Sequence, residues 1–316
     1  MSRIVIALGG NALQANPKDT TAEAQLITAK ETSQAIVDLI QEGHEVIVAH
    51  GNGPQVGQIV ATYELAASVN ENNPIMPFPE CGAMSQGYIG YHLQQAIREE
   101  LKKRGINKEV ATVVTQVVVD KNDEGFKNPT KPVGSFFTEE QAKKLMQEKG
   151  YTMKEDSNRG WRRVVPSPMP VSVVEEPIIK TLVDAGHVVI TVGGGGIPVI
   201  DKGDGTLEGV PAVIDKDFAS CKIAQLLNAD AFIVLTAVEQ VAINFGKPDQ
   251  KNLSTLTLAD AEKYIKEGHF APGSMLPKVK AAMSFVESKE GGKAIITSLE
   301  KAKEAINGLT GTTIVK

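Results

Sequence analysis

Four short apolar runs, each ending in small turn-forming residues, constrain this chain more than any other feature. Ile4–Leu8 runs into Gly9-Gly10-Asn11, Val46–His50 into Gly51-Asn52-Gly53, Val188–Val192 into Gly193-Gly194-Gly195-Gly196, and Phe232–Leu235 into Thr236-Ala237. Rich in Val and Ile and apolar almost throughout, they read as strands buried on both faces of a parallel sheet. Glycine at the carboxyl end of such a strand lets backbone N–H groups approach an anion with no Cβ in the way. Ligands of open α/β sheets sit at that edge. Three glycine loops on one edge therefore predict a small, highly charged ligand held largely by main chain.

Between the runs the apolar period becomes helical. Leu26, Ala29, Ile36, Leu39 and Ile40 predict a helix over Ala22–Gln41, closed by Glu42-Gly43. Gly51-Asn52-Gly53-Pro54 opens another, and the Pro-rich break at 73–79 separates it from a helix over Cys81–Lys103. A strand over Ala111–Val119 follows. This is the rhythm of a doubly wound α/β sheet with right-handed crossovers. It changes over residues 120–163, where Gly125, Pro129, Pro132 and Gly134 precede a polar stretch ending in Asp156-Ser157-Asn158-Arg159-Gly160-Trp161. Structureless loops of that length are uncommon, so the segment predicts a small protruding subdomain of strands with one helix, Thr138–Glu148. The rhythm returns with a helix over Val173–Ala185, on which Val174, Ile178 and Leu182 align at i, i+4. Lys202-Gly203-Asp204-Gly205 reads as a hairpin turn, and Asp215-Lys216-Asp217 opens a helix reaching about Asn228. Helices Leu258–Lys266 and Pro277–Ser288 and strands Ala294–Ile296 and Thr313–Val315 complete the expected order.

Composition narrows the function. The 316 residues carry a net charge of −5, which gives no reason to expect nucleic acid or an anionic membrane as partner. Met1-Ser2-Arg3 leads straight into a strand, so no signal peptide is expected. No apolar run nears the roughly 18 residues of a membrane helix. A cytoplasmic protein is the expectation. Cys81 and Cys221 lie far apart, with no CxxC or Cys/His cluster, and read as buried small hydrophobes. The five histidines, His44, His50, His92, His187 and His269, have no zinc-ligand spacing.

The common nucleotide fingerprints are absent. No Gly-Lys-Ser/Thr follows a glycine loop, which excludes a P-loop. Gly193-Gly194-Gly195-Gly196-Ile197-Pro198 places Pro198 where a dinucleotide fingerprint needs its third glycine, and a hairpin follows instead of a helix. Lys216, between two aspartates, and Lys278, after Pro277, both sit at predicted helix starts. There they oppose the helix dipole, a small cost that a polyphosphate at the same place would offset. A random lysine is usually a solvated surface group. The placement favours function for Lys216 and Lys278, and says less for Lys131, which lies inside the insertion. Asp217 reads equally as a first-turn carboxylate and as the group that holds two ammoniums apart and aimed at a phosphate.

Leu8-Gly9-Gly10-Asn11-Ala12-Leu13, His50-Gly51-Asn52-Gly53-Pro54-Gln55-Val56-Gly57 and Ala212-Val213-Ile214-Asp215-Lys216-Asp217 together resemble the amino-acid kinase superfamily, and within it the carbamate kinases. The resemblance runs essentially end to end. It implies one α/β domain, a three-layer αβα sandwich with a mainly parallel central sheet and the protruding subdomain at about 120–163. The lobe at about 1–190 would take carbamate or carbamoyl phosphate, and the lobe at about 191–316 the nucleotide. It implies reversible phosphoryl transfer between ATP and carbamate, used in fermentative arginine catabolism to make ATP, by a homodimer. Gly9, Gly10, Asn11, Gly51, Asn52 and Gly53 would hold the carbamoyl phosphate end, while Lys131, Lys216 and Lys278 bridge the phosphates and Asp217 organises the lysines. Lys131 matches the subdomain lysine that replaces the first-loop lysine of sister kinases. The nucleotide would lie near Gly195, Thr236, Ala237, Val238, Met275 and Pro277, with Mg²⁺ held mainly by the phosphates. Ala242 departs from the aromatic residue expected there. The anionic oxygen of carbamate needs no general base, so positioning and positive charge would carry the chemistry. Two other readings share the fold: a sister kinase acting on acetylglutamate, glutamate, aspartate or UMP, and a non-catalytic nucleotide sensor.

Overall fold

The computed structural model describes residues 1–16, 18–156 and 160–316. Its centre is an eight-stranded sheet in the order Thr255–Thr257, Thr312–Val315, Lys293–Ser298, Ala231–Thr236, Arg3–Leu8, Glu45–His50, Val188–Ile190, Val110–Thr112. Neighbours are parallel except where Thr312–Val315 returns antiparallel to Lys293–Ser298. The four apolar runs are four contiguous strands of this sheet, with their small residues at one edge.

Strand alternation divides the core in two. Val5, Ala7, Ile47 and Val234 pack against Ala219 and Ile223 of helix Lys216–Leu226 and Val279 and Phe285 of helix Met275–Ser288. Ile4, Ile6, Val48 and Ile233 pack on the other face against Ile36 and Leu39 of helix Ala22–Gln41 and Leu93 and Ile97 of helix Phe78–Lys103. Each Val, Ile, Leu or Phe side chain among them, when fully buried, stabilises the fold by about 1.5–3 kcal/mol. The result is the three-layer αβα sandwich with a mainly parallel sheet that the sequence predicts. No helix among the described residues is long and apolar enough to cross a membrane.

Helix Ala22–Gln41 has its predicted bounds, with Thr21 accepting from the Ala24 N–H. The helix predicted from Cys81 begins at Phe78, because a proline in the first turn lacks only an N–H that would have no helical partner there. The strand predicted over Ala111–Val119 is two. Val110–Thr112 ends the main sheet, while Gln116–Val119 belongs to a second sheet with Leu207–Gly209, Ile197–Asp201 and Pro170–Val173. The switch is pinned at Thr115, whose N–H donates to Gln86 Oε1 at 2.7 Å and whose carbonyl accepts from Gln86 Nε2 at 3.1 Å. Both strands are apolar, so the pattern hides the break. The strand predicted to reach Val192 stops at Ile190, and Val192 has φ 43°. The helix predicted over Val173–Ala185 spans Glu176–Asp184, and Pro170–Val173 is a strand. Its buried line is Ile179 and Val183, whereas Ile178 is 53% exposed, so the predicted apolar line is one residue out of register.

The insertion forms a small sheet and a helix of its own. Strands Lys131–Phe137, Trp161–Val165 and Met153–Glu155 form an antiparallel sheet, with helix Glu139–Lys149 capped by a reciprocal Thr138–Gln141 box. Ser157, Asn158 and Arg159 of the predicted insertion lie outside the described residues. Strand Lys131–Phe137 crosses helix Gly53–Val69 at Gly57, where a Cβ would come within 2.3 Å of Gly134 Cα. Glycine at 57 lets the subdomain seat closely enough to bring Lys131 over the sheet edge.

Candidate active site

Asp215 caps helix Lys216–Leu226, accepting from the Asp217 N–H at 2.9 Å. That geometry fixes Lys216 and Asp217 in the first turn, facing the sheet edge. Asp217 is 2% exposed and takes both lysines predicted to act with it: Lys216 Nζ on Oδ1 at 2.5 Å and Lys278 Nζ on Oδ2 at 2.9 Å. Burial by itself would raise the Asp217 pKa, but the two ammoniums outweigh it and hold the carboxyl well below the usual carboxylate range. Burial lowers Lys216 from the ordinary lysine value, with Lys278 adding to that and Asp217 opposing it. Lys216 reaches Asp217 across Gly51, where even a Cβ would lie 3.2 Å from Lys216 Cδ. Lys131 comes in from the subdomain and pairs with Asp215 Oδ2 at 2.5 Å.

Three hollows meet around these groups. The central one, about 350 Å³, is lined by Gly9, Gly10, Asn11, Lys216, Lys278 and Glu300. A second of about 230 Å³ is lined by Gly51, Asn52, Gly53, Gln55 and Lys131, and shares Gly10 and Lys216 with the first. The third, about 500 Å³, is lined by Val238, Ala242, Phe245, His269 and Met275, and shares Thr236, Ala237 and Ser274 with the first. The lined surfaces thus run in series, with Lys216 and Lys278 on the central hollow and Lys131 and Lys216 on the small one. The small hollow abuts the first turn of helix Gly53–Val69, whose unpaired N–H groups favour an anion.

Most residues singled out in the sequence converge here. Gly9 and Asn11 line the central hollow rather than the small one, beside Lys216 and Lys278. Asn52 directs its Nδ2 to Ser85 Oγ at 2.8 Å. Two predicted nucleotide residues are not brought to the hollows. Gly195 packs so tightly on Ile214 that a Cβ would lie 2.1 Å from its carbonyl oxygen, and Pro277 is the third residue of helix Met275–Ser288 and lines none of the three hollows. Gly194, its neighbour, lines the small hollow instead. Sequence reasoning missed Asp215 as the Lys131 partner, and Gln55, Phe245, Ser274 and Glu300 as lining residues. Asp215 and Gln55 stood inside quoted motifs; Phe245 and Glu300 carried no signal. Among the described residues no group of three or more His, Cys, Asp or Glu could hold a metal ion. Mg²⁺ carried on phosphates commonly keeps waters and needs few protein ligands.

The sequence matches the amino acid kinase family over residues 2–298. The carbamate kinase of Clostridium perfringens is 62% identical over 314 residues, 99% of this chain and 100% of that protein. The carbamate kinase-like protein YqeA of Escherichia coli is 61% identical over 312 residues, 99% of this chain and 98% of that protein. The solved structure of carbamate kinase from Giardia lamblia bound to AMP-PNP has a TM-score of 0.91 at 43% identity, covering 100% of this chain and 98% of that one. This chain belongs to the amino acid kinase family, and within it to the carbamate kinases.

Proposed function

We propose that the chain transfers a phosphoryl group reversibly between ATP and carbamate, giving ADP and carbamoyl phosphate. The observation that carries this reading is the joining of Lys216 and Lys278 through buried Asp217 where the central hollow meets the small one. The nucleotide takes the hollow of Thr236, Ala237, Val238 and Met275, with Phe245 offering a ring beside Ala242. Its terminal phosphates reach Gly9, Gly10 and Asn11 in the central hollow. Carbamate or carbamoyl phosphate takes the hollow of Gly51, Asn52, Gly53 and Lys131. On this reading the part of the chain at about 1–190 serves the acid, and 191–316 the nucleotide.

In the ATP-forming direction the bond between phosphorus and the carbamate oxygen breaks as one forms to the terminal oxygen of ADP. Carbamate leaves as an anion, so no proton has to move, and no general acid or base is needed. The protein's work is alignment and charge. Asp217 keeps Lys216 and Lys278 apart and aimed, and Lys131 closes the acid side from the subdomain. Mg²⁺, when bound with the nucleotide, would supply positive charge against the charge developing on the transferring phosphoryl group. A cytoplasmic homodimer producing ATP in arginine catabolism agrees with the motif resemblance.

The test is ATP formation from carbamoyl phosphate and ADP with Mg²⁺, beside ATP consumption with acetylglutamate, glutamate, aspartate or UMP. Turnover with carbamoyl phosphate and none with acetylglutamate, glutamate, aspartate or UMP supports the reading. Turnover with one of the other acceptors, or ADP binding with no turnover at all, contradicts it.

A further inference from the structure

Gln55 stands third in helix Gly53–Val69, lines the small hollow and is 2% exposed. A relay of side chains sets which way its amide points. Gln25, 4% exposed on helix Ala22–Gln41, donates Nε2 to the Thr20 carbonyl at 3.0 Å. Its Oε1 is therefore the end that faces Gln55, and it accepts from Gln55 Nε2 at 2.9 Å. A flipped Gln55 would set two carbonyl oxygens against each other. Gln55 Oε1 is thus the end of the amide left without a donor: it is buried, and none of the described residues donates to it. Buried acceptors without a donor are uncommon because they lose their water for nothing.

The rest of the same hollow offers the opposite polarity. Lys131 and Lys216 bring ammoniums, and the helix start brings N–H groups. One acceptor on a residue lining the same hollow as several donors suits a ligand with anionic oxygens on one side and an N–H donor on the other. Resting on the carbamate reading above, the geometry points to Gln55 Oε1 as the acceptor for the amino group of carbamate and carbamoyl phosphate. Gln55 is then a specificity-determining residue, which separates a carbamoyl group from an acetyl group of the same shape. Oε1 is covered in this conformation, so the ligand reaches it as the lining of the small hollow adjusts around it.

Two measurements test this. The first uses the unaltered protein and compares inhibition by phosphonoacetamide and by phosphonoacetone, which differ only in an amino group against a methyl. A site that hydrogen-bonds an N–H rejects the analogue lacking it, so phosphonoacetamide should bind at least about tenfold more tightly. Equal inhibition would overturn the assignment whatever any variant does. The second takes Gln55→Met and compares kcat/KM for carbamoyl phosphate and for acetyl phosphate as donors to ADP. The variant should lose at least about tenfold with carbamoyl phosphate but no more than about twofold with acetyl phosphate, at an unchanged KM for ADP. Equal losses with both donors would assign Gln55 a purely structural role and overturn the inference. If the unaltered protein turned over no carbamoyl phosphate, the functional reading would fail first and the inference with it.

Discussion

His50 shows how one residue at the sheet edge couples burial to pH. It closes strand Glu45–His50 at 1% exposure, with Nδ1 2.9 Å from the Gly51 carbonyl. Burial lowers its pKa from 6.5 to about 4, the nearby Lys216 acting the same way and the Gly51 carbonyl opposing. The unfolded chain therefore binds this proton more readily than the folded one. Its contribution to stability is whole above pH 6.5 and is lost as pH falls toward about 4. The loss is on the order of 3 kcal/mol. His50→Asn should flatten that part of the pH dependence in urea unfolding, and an unchanged slope would show that other groups set it. At this scale the sequence was partly legible. Helix-start lysines with an aspartate between them announced a charged cluster, and the structure unites Lys216, Lys278 and Asp217. The Lys131–Asp215 pair was not legible, because its partners lie 84 residues apart.

Among the elements, the strands with glycine ends and the helix Ala22–Gln41 could be read because one periodicity runs through each. The split at Thr115 and the one-residue offset on helix Glu176–Asp184 could not, since tertiary contacts decide them. The subdomain was visible as a change in chain grammar, but its attachment was not. Glu64 of helix Gly53–Val69 receives Lys149 at 3.1 Å and Arg163 at 3.3 Å, and also accepts from the Tyr151 hydroxyl. Arg163 stacks on the Tyr151 ring at 3.8 Å. Burial and Glu64 push the Tyr151 hydroxyl up to about 12, so it serves as a donor at all ordinary pH. This clamp and the Lys131–Asp215 pair hold the subdomain at two places either side of Gly57. Glu64→Gln should weaken the clamp by about 1 kcal/mol and raise KM for carbamoyl phosphate roughly fivefold. KM for ADP should stay put. Equal changes for both substrates, or none, would mean the clamp does not position Lys131.

For the molecule as a whole, the parallel sheet puts its glycine loops on one edge, and the subdomain and helix starts bring lysines there from remote parts of the chain. The sheet edge was readable from four strand ends, and the fold class followed. Three connected hollows were not, because they depend on how side chains such as Phe245 and Glu300 pack around that edge. The central claim is that phosphoryl transfer occurs where Lys216 and Lys278 meet on Asp217. The most direct measurement is kcat for ATP formation by Lys216→Ala beside the unaltered protein, with ADP affinity measured in parallel. Loss of a preorganised donor should lower kcat by about 100-fold or more. ADP affinity should change far less. Near-full turnover in the variant would contradict the account.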